Sequence, residues 1–242
     1  MAVTTICFDF GNTRVKYALF VQGQLASVHT LAEPSVALVQ QAVAEHRAER
    51  SFLSSVIHHP IEIEEWLQQH TQFHKLSHET ILPFTTPVAK PATIGADRLA
   101  LVAAAVHQFP ASHSLVIALG TCITYNYVNV FNQFVGGSIS PGMQMRFLAM
   151  HQQTALLPLV EAAPNVPLMG FDTLTNLQSG VVWGMAAEID GIIDQYAKNL
   201  SNFNVLLTGG DLGYFVPRLK NKIFADQNLL FKGLYAICEK NF

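Results

Sequence analysis

Hydrophobic positions near the start of the chain fall into strand-length runs broken by small polar residues. Residues 3–10, 15–22 and 24–31 are rich in β-branched and aromatic side chains, with Gly11-Asn12 and Gly23 between them. That spacing predicts three consecutive strands joined by tight turns. Pro34 then opens a helix that carries Val36, Val39, Val43 and Ala44 along one face. Residues 51–57 predict a short strand and 60–70 a second helix. A connector rich in Pro and Thr covers 80–94, and the apolar pattern turns helical over 99–107.

A second series follows. Residues 115–119 predict a buried strand ending in Gly120-Thr121, 123–130 another, and 134–140 a third with Gly136-Gly137 inside it. Pro141-Gly142 opens an apolar helix over 141–156, with Met143, Met145, Phe147, Leu148 and Met150 as core or interface residues. Asp172-Thr173 caps a long helical pattern over 173–197, where Gly180, Gly184, Ala186 and Ala187 predict close helix packing. A strand over 205–208 ends in Gly209-Gly210-Asp211, a turn open enough for a flat ring. Residues 217–242 read as helix, short strand and helix.

The two series share a plan. Ile6 to Thr13 and Leu115 to Thr121 both run apolar strand, one variable residue, glycine, polar turn. Strand, strand, strand, helix, strand, helix is the order of a ribonuclease-H-like (actin-like ATPase) half-domain. The weak internal repeat predicts a second, giving an α/β chain of two such half-domains, mixed sheets flanked by helices. Their expected extents are 1–113 and 114–242, with the glycine turns facing across a cleft, where small molecules bind.

Composition narrows the field. Half of the 242 residues are hydrophobic and 13% are charged, so a large core is available and composition argues against disorder. A net charge of −3 without any basic block argues against nucleic acid as a partner. Cys7, Cys122 and Cys238 are too few and scattered for a disulfide framework and read as small core residues. Neither a signal peptide nor a membrane-length apolar run is evident, so a cytoplasmic protein without membrane contact is expected.

The candidate chemistry gathers at the first hairpin. Asp9, Gly11, Asn12, Thr13 and Lys16 combine an acid, a close-approach or positive-φ glycine, small hydrogen-bonding groups and a point charge suited to phosphate. Asp9, at a strand end, could hold Mg²⁺ through water. Asp97 and Arg98 open the 99–107 helix, where an acid suits the helix dipole. Asp97 there could equally accept a proton from a substrate hydroxyl while Arg98 binds an anion. His58, His59, His70, His74 and His78 form a loose cluster without a metal signature, and a solvated helix end is the expected role.

In this order the motifs resemble the type III pantothenate kinase family, within the acetate and sugar kinase, Hsp70 and actin superfamily. The carriers are Asp9-Phe10-Gly11-Asn12-Thr13-Arg14-Val15-Lys16, Gly95-Ala96-Asp97-Arg98, Leu119-Gly120-Thr121, Gly136-Gly137 with Pro141-Gly142, Asp172-Thr173 to Ser179-Gly180, and Thr208-Gly209-Gly210. The resemblance implies ATP-dependent phosphorylation of pantothenate, the first step towards coenzyme A. It implies that Asp9, Phe10, Gly11, Asn12, Thr13, Arg14, Val15 and Lys16 hold the ATP phosphates and Mg²⁺, with Thr121 in a second phosphate turn. Asp97 is then the general base; Gly95, Ala96, Asp97 and Arg98 contact pantothenate. Thr173 reaches substrate from the partner subunit of a homodimer. Two positions depart from the family pattern. Ala118 stands where an Asp usually helps bind a monovalent cation, K⁺ or NH₄⁺, so weak potassium dependence is expected. Val88 stands near a usual aromatic substrate contact. These departures keep two alternatives open: a weakened or non-catalytic relative that binds nucleotide or a partner protein, and a kinase for another small hydroxyl compound.

Overall fold

The computed structural model describes residues 3–77, 79–86, 93–200 and 202–242. These form two compact units, each built around one five-stranded sheet. Unit 1 comprises residues 1–111, 130–135 and 228–242; unit 2 comprises 112–129 and 136–227. The expected split into 1–113 and 114–242 therefore differs in two places: residues 130–135 and the C-terminal segment 228–242 group with unit 1.

Unit 1 contains β1 (Thr4–Phe10), β2 (Val15–Val21), β3 (Gln24–Leu31), α1 (Val36–His46), β4 (Arg50–Ser55), α2 (Ile61–His70), β5 (Gln72–Lys75) and α3 (Ala96–Gln108). Its strand order is β3-β2-β1-β4-β5. The β1–β2–β3 meander is antiparallel, whereas β4 and β5 join in parallel. Side chains alternate across such a sheet. Ile6, Phe8 and Phe10 pack with Val39, Val43, Ile63 and Leu67 of α1 and α2. Cys7 and Asp9 therefore face the other side, which α3 and the C-terminal helix cover. Strand β5 falls within the stretch left without an element between the second helix and the connector. His74 belongs to this strand: it stacks on Phe52 and bonds the Thr80 hydroxyl at 2.8 Å. His70 instead stacks on Trp66, His59 bonds Glu64, and His78 lies outside the described residues.

Unit 2 contains β6 (His113–Leu119), β7 (Cys122–Val128), the greater part of β8 (Phe134–Pro141), α4 (Met143–Gln152), α5 (Thr173–Ala197), β9 (Phe203–Gly209), the short α6 (Leu212–Phe215) and β10 (Phe224–Ala225). Its order, β10-β9-β6-β7-β8, repeats that of unit 1 strand for strand. Two mixed sheets of matching order, each flanked by helices, make this a chain of two ribonuclease-H-like units. Leu115, Ile117, Ile123, Tyr125, Val182, Met185 and Ile189 build the core on the α5 side. Asp172 caps α5 as expected: its carboxylate accepts from Thr175 N at 2.8 Å, and the Thr175 hydroxyl closes a capping box. Helix α4 is shorter than the expected 141–156.

The last helix, α7 (Leu229–Asn241), packs along α3. A Cβ on Gly233 would stand 1.8 Å from Ala100 O, so the two helices touch backbone to backbone. Cys238 meets Cys7 of β1, and both are buried. Cys122 is only half-buried, so it is not a core residue as expected.

Candidate active site

Strand pairing in unit 1 draws one row of side chains across the sheet. Asp9 lies opposite Lys16 on β2 and Ser54 on β4, and Lys16 lies opposite Thr30 on β3. Paired residues share a face, so Lys16, Asp9 and Ser54 stand side by side on the α3 side. The hairpin above this row closes through Gly11 N donating to Arg14 O at 3.1 Å. A Cβ on Gly11 would stand 3.2 Å from that oxygen, so close approach rather than a positive φ explains the glycine. Asn12, Thr13 and Arg14 are exposed at the tip, while Phe10 and Val15 anchor its base in the core. Phe10 therefore positions the turn from below.

Asp97 enters from the first turn of α3. Its Oδ1 lies over Gly95, where a Cβ would come within 2.5 Å of it. The turn is tight: Arg98 N and Leu99 N both donate to Gly95 O, at 3.0 and 3.2 Å. Ala96 begins the helix, and Gly95 to Arg98 are all half-buried. The Arg98 guanidinium sits 5.5 Å from the centre of the Phe134 ring. Burial lowers its pKa, opposed by the charge of Asp97.

The two carboxylates sense one another. Asp9 keeps part of its surface open, yet it is crowded by protein. Burial first, then the charge of Asp97, push its pKa up to about 7, while Lys16 pulls it down. Burial, a like charge and a nearby lysine at one carboxylate mark a functional-site candidate. Unit 1 thus brings together Asp9, Gly11, Lys16 and Asp97, with Arg98 beside Asp97.

Unit 2 carries the second glycine turn. Gly120 N donates to Cys122 O at 3.1 Å, and Gly142 N donates to Thr121 O at 3.1 Å. A Cβ on Gly142 would fall 2.2 Å from Gly120 O, so α4 starts directly against the Gly120-Thr121 turn. In the matching row of this sheet, Ala118 lies between Thr124 and Thr208. The position equivalent to Asp9 is therefore a methyl flanked by two hydroxyl-bearing residues. Gly209 has φ +109° and packs against Leu119, where a Cβ would be 2.2 Å from its carbonyl oxygen. Gly210 has open space at its Cβ position. Thr173 is exposed at the first position of α5. Val88 lies outside the described residues.

Sequence reasoning passed over a clamp that braces the second turn. Arg146 of α4 donates from Nε to Pro141 O at 2.9 Å and from Nη2 to Ser140 Oγ at 3.0 Å and to Glu188 Oε2. Tyr125 donates to Glu188 Oε1 at 3.0 Å. Burial raises the Glu188 pKa, but the bonds from Arg146, Ser140 and Tyr125 outweigh it and hold the carboxyl below its usual value. Arg146 stands among apolar residues in α4, a signal the sequence did contain. Ser54 carried no comparable signal.

Residues 5–195 match the sequence profile of the family described as Type III pantothenate kinase. A Type III pantothenate kinase of Flavobacterium johnsoniae is 38% identical over 228 residues, covering 93% of each chain. One from Phocaeicola vulgatus is 39% identical over 98% of each chain. A crystal structure from Campylobacter jejuni, bearing the name of a Baf family transcriptional activator, superposes with a TM-score of 0.63. It shares 20% identity over 98% of each chain, a likeness of fold alone.

Proposed function

The chain belongs to the type III pantothenate kinase family, and from that premise we propose that it transfers the γ-phosphoryl group of ATP to the primary hydroxyl of pantothenate. The observation that carries this reading is the meeting of Asp9, Lys16 and Asp97 at one sheet end of unit 1. Phosphoryl transfer asks a protein for positioning and charge neutralisation more than for covalent chemistry. Asp97 accepts the hydroxyl proton as the alcohol oxygen bonds to the γ-phosphorus. The bond from that phosphorus to the bridging oxygen breaks, and ADP leaves with the electron pair. Arg98, beside Asp97, offers its guanidinium to the pantothenate carboxylate, and Gly95 and Ala96 let that molecule approach the backbone. Residues 10–15 line the phosphates with backbone N–H groups and small polar side chains, and Lys16 adds the positive charge. Thr121 supplies a further phosphate contact.

Asp9 fits a Mg²⁺ ligand. A carboxylate whose charge is disfavoured by burial and by Asp97 is one that a cation stabilises. Bound there, Mg²⁺ neutralises charge on the phosphates. A monovalent cation is less well served, because the Ala118 methyl offers no ligand atom. We further propose a homodimer in which Thr173 completes the partner's substrate site. Leu168, Met169 and Phe171, just before that residue, are 74%, 84% and 82% exposed, which a lone subunit would leave in water.

The test is ATP consumption by the purified protein with and without pantothenate and Mg²⁺. Turnover only with all three supports the reading. Nucleotide binding without pantothenate-dependent turnover would favour a non-catalytic relative, the second reading, for which the departures at Ala118 and Val88 are the motive. Turnover with a different small alcohol would move the acceptor and leave the site intact.

A further inference from the structure

Ser54 sits one residue from the end of β4, next to Asp9 in the row described above. Adjacent strands run ~4.8 Å apart, and Asp9 and Ser54 share a face, so the hydroxyl stands beside the carboxylate. Ser54 is fully buried, and its Oγ has no hydrogen-bond partner among the described residues. The next residue sets a contrast. Ser55, on the opposite face, donates to Ile57 O at 3.0 Å and bonds His59 Nδ1 at 3.0 Å. A serine at this strand end can thus be satisfied by protein alone, and Ser54 is not. Buried polar groups in native proteins pair with protein, water or ligand. An unpaired hydroxyl beside a candidate metal ligand points to a ligand supplied from solution.

We propose that Ser54 is a positioning residue for the divalent cation at Asp9, its buried hydroxyl turning about the Cα–Cβ bond to accept a hydrogen bond from one of the cation's waters. The proposal rests on the kinase reading of the same site. Mg²⁺ keeps several of its waters and takes few carboxylates, so part of its hold on a protein passes through those waters. Groups that bind a metal's ligands typically alter its affinity by ~10-fold or more when removed. Unit 2 places Thr208 at the equivalent position, beside Ala118 where no carboxylate stands. The second buried hydroxyl without a described partner, on Ser114, lies at the opposite end of β6 from the glycine turn. It serves as the internal control.

The experiment titrates Mg²⁺ into wild type, Ser54→Ala, Ser54→Cys and Ser114→Ala with a non-hydrolysable ATP analogue, reading the melting temperature. Both Ser54 variants should melt at or above the wild-type temperature without ligand, since each removes an unsatisfied hydroxyl. Their Mg²⁺ midpoints should rise about 10-fold or more, and that of Ser114→Ala should stay within twofold of wild type. The cysteine variant also reports if the alanine variant does not fold. Midpoints within twofold of wild type for both Ser54 variants would overturn the proposal, as would an equal rise in Ser114→Ala. A wild type that gains no stability from Mg²⁺ and nucleotide would remove the kinase reading, and Ser54's role with it. An unchanged midpoint in a responsive wild type removes Ser54 alone.

Discussion

Asp97 and Asp9 are both carboxylates at one end of unit 1, and their surroundings separate their roles. Asp9 lies in the sheet row between Lys16 and Ser54, where the divalent cation is proposed to bind. Asp97 lies at the start of a helix next to Arg98, where the acceptor alcohol and its anionic group are proposed to bind. Asp97→Asn keeps the shape and removes the proposed proton acceptor. We expect turnover to fall by ~100-fold or more, with nucleotide binding within a fewfold of wild type, as read by steady-state kinetics and calorimetry. Unchanged turnover would take Asp97 out of the mechanism. Away from the site, Glu64 makes a different prediction. It bonds Lys75 Nζ at 2.6 Å and His59 Nε2 at 2.8 Å. Burial raises its pKa, but those two partners outweigh burial and lower it from 4.5. A depressed carboxyl contributes stability above its unfolded value and loses it as pH falls through the folded one. Glu64→Gln should therefore cost about 1 kcal/mol near neutral pH. The gap should close below pH 4.5 in urea unfolding; a gap that stayed constant with pH would deny the carboxylate that role.

Elements were legible where one period dominated. The β1–β2–β3 meander, α3 and the cap of α5 follow from alternation, apolar runs and Asp172. Strand β5 was not, because three of its four residues, Gln72, His74 and Lys75, carry polar side chains. Parallel pairing to β4, not local preference, makes it a strand. The return of α7 to unit 1 was equally hidden, since Gly233 against Ala100 is a contact of distant sequence. In the site, Asp9, Lys16 and Asp97 were readable by residue type. Ser54 and the Arg146–Glu188 clamp emerge only from register and packing. The glycine corners give a test at this scale. Gly142→Ala would drive a Cβ to 2.2 Å from Gly120 O, backbone that cannot swing aside. We expect a loss of about 2 kcal/mol in urea unfolding, in the range of overpacked cores, with a raised KM for ATP. Gly210→Ala meets open space and should lie within ~0.5 kcal/mol of wild type. Equal effects of the two substitutions would detach the Gly142 contact from the proposed phosphate turn.

At the scale of the whole molecule the question is what covers the apolar residues before α5. Among the described residues no helix is long and apolar enough to cross a membrane. Leu156, Leu168, Met169 and Phe171 nevertheless stand at 92%, 74%, 84% and 82% exposure, and Leu174 at 47%. The 156–174 stretch has its internal ties: Ser179 Oγ donates to Leu168 O and Trp183 Nε1 donates to Val166 O at 3.2 Å. Its backbone is thus fastened to α5 while its largest side chains face outward. A second copy of the chain would bury them, and would bring Thr173, at the same helix start, towards a neighbouring site. Met169→Asp with Phe171→Asp places two charges where that contact requires apolar surface, and touches none of Asp9, Lys16 or Asp97. Light scattering should show wild type at twice the subunit mass and the double variant at the subunit mass. Turnover should fall in the variant while its melting temperature without ligand at low concentration stays near that of diluted wild type. A monomeric wild type with full turnover would show that each subunit works alone, and Thr173 would then lose its assigned place in the partner's substrate site.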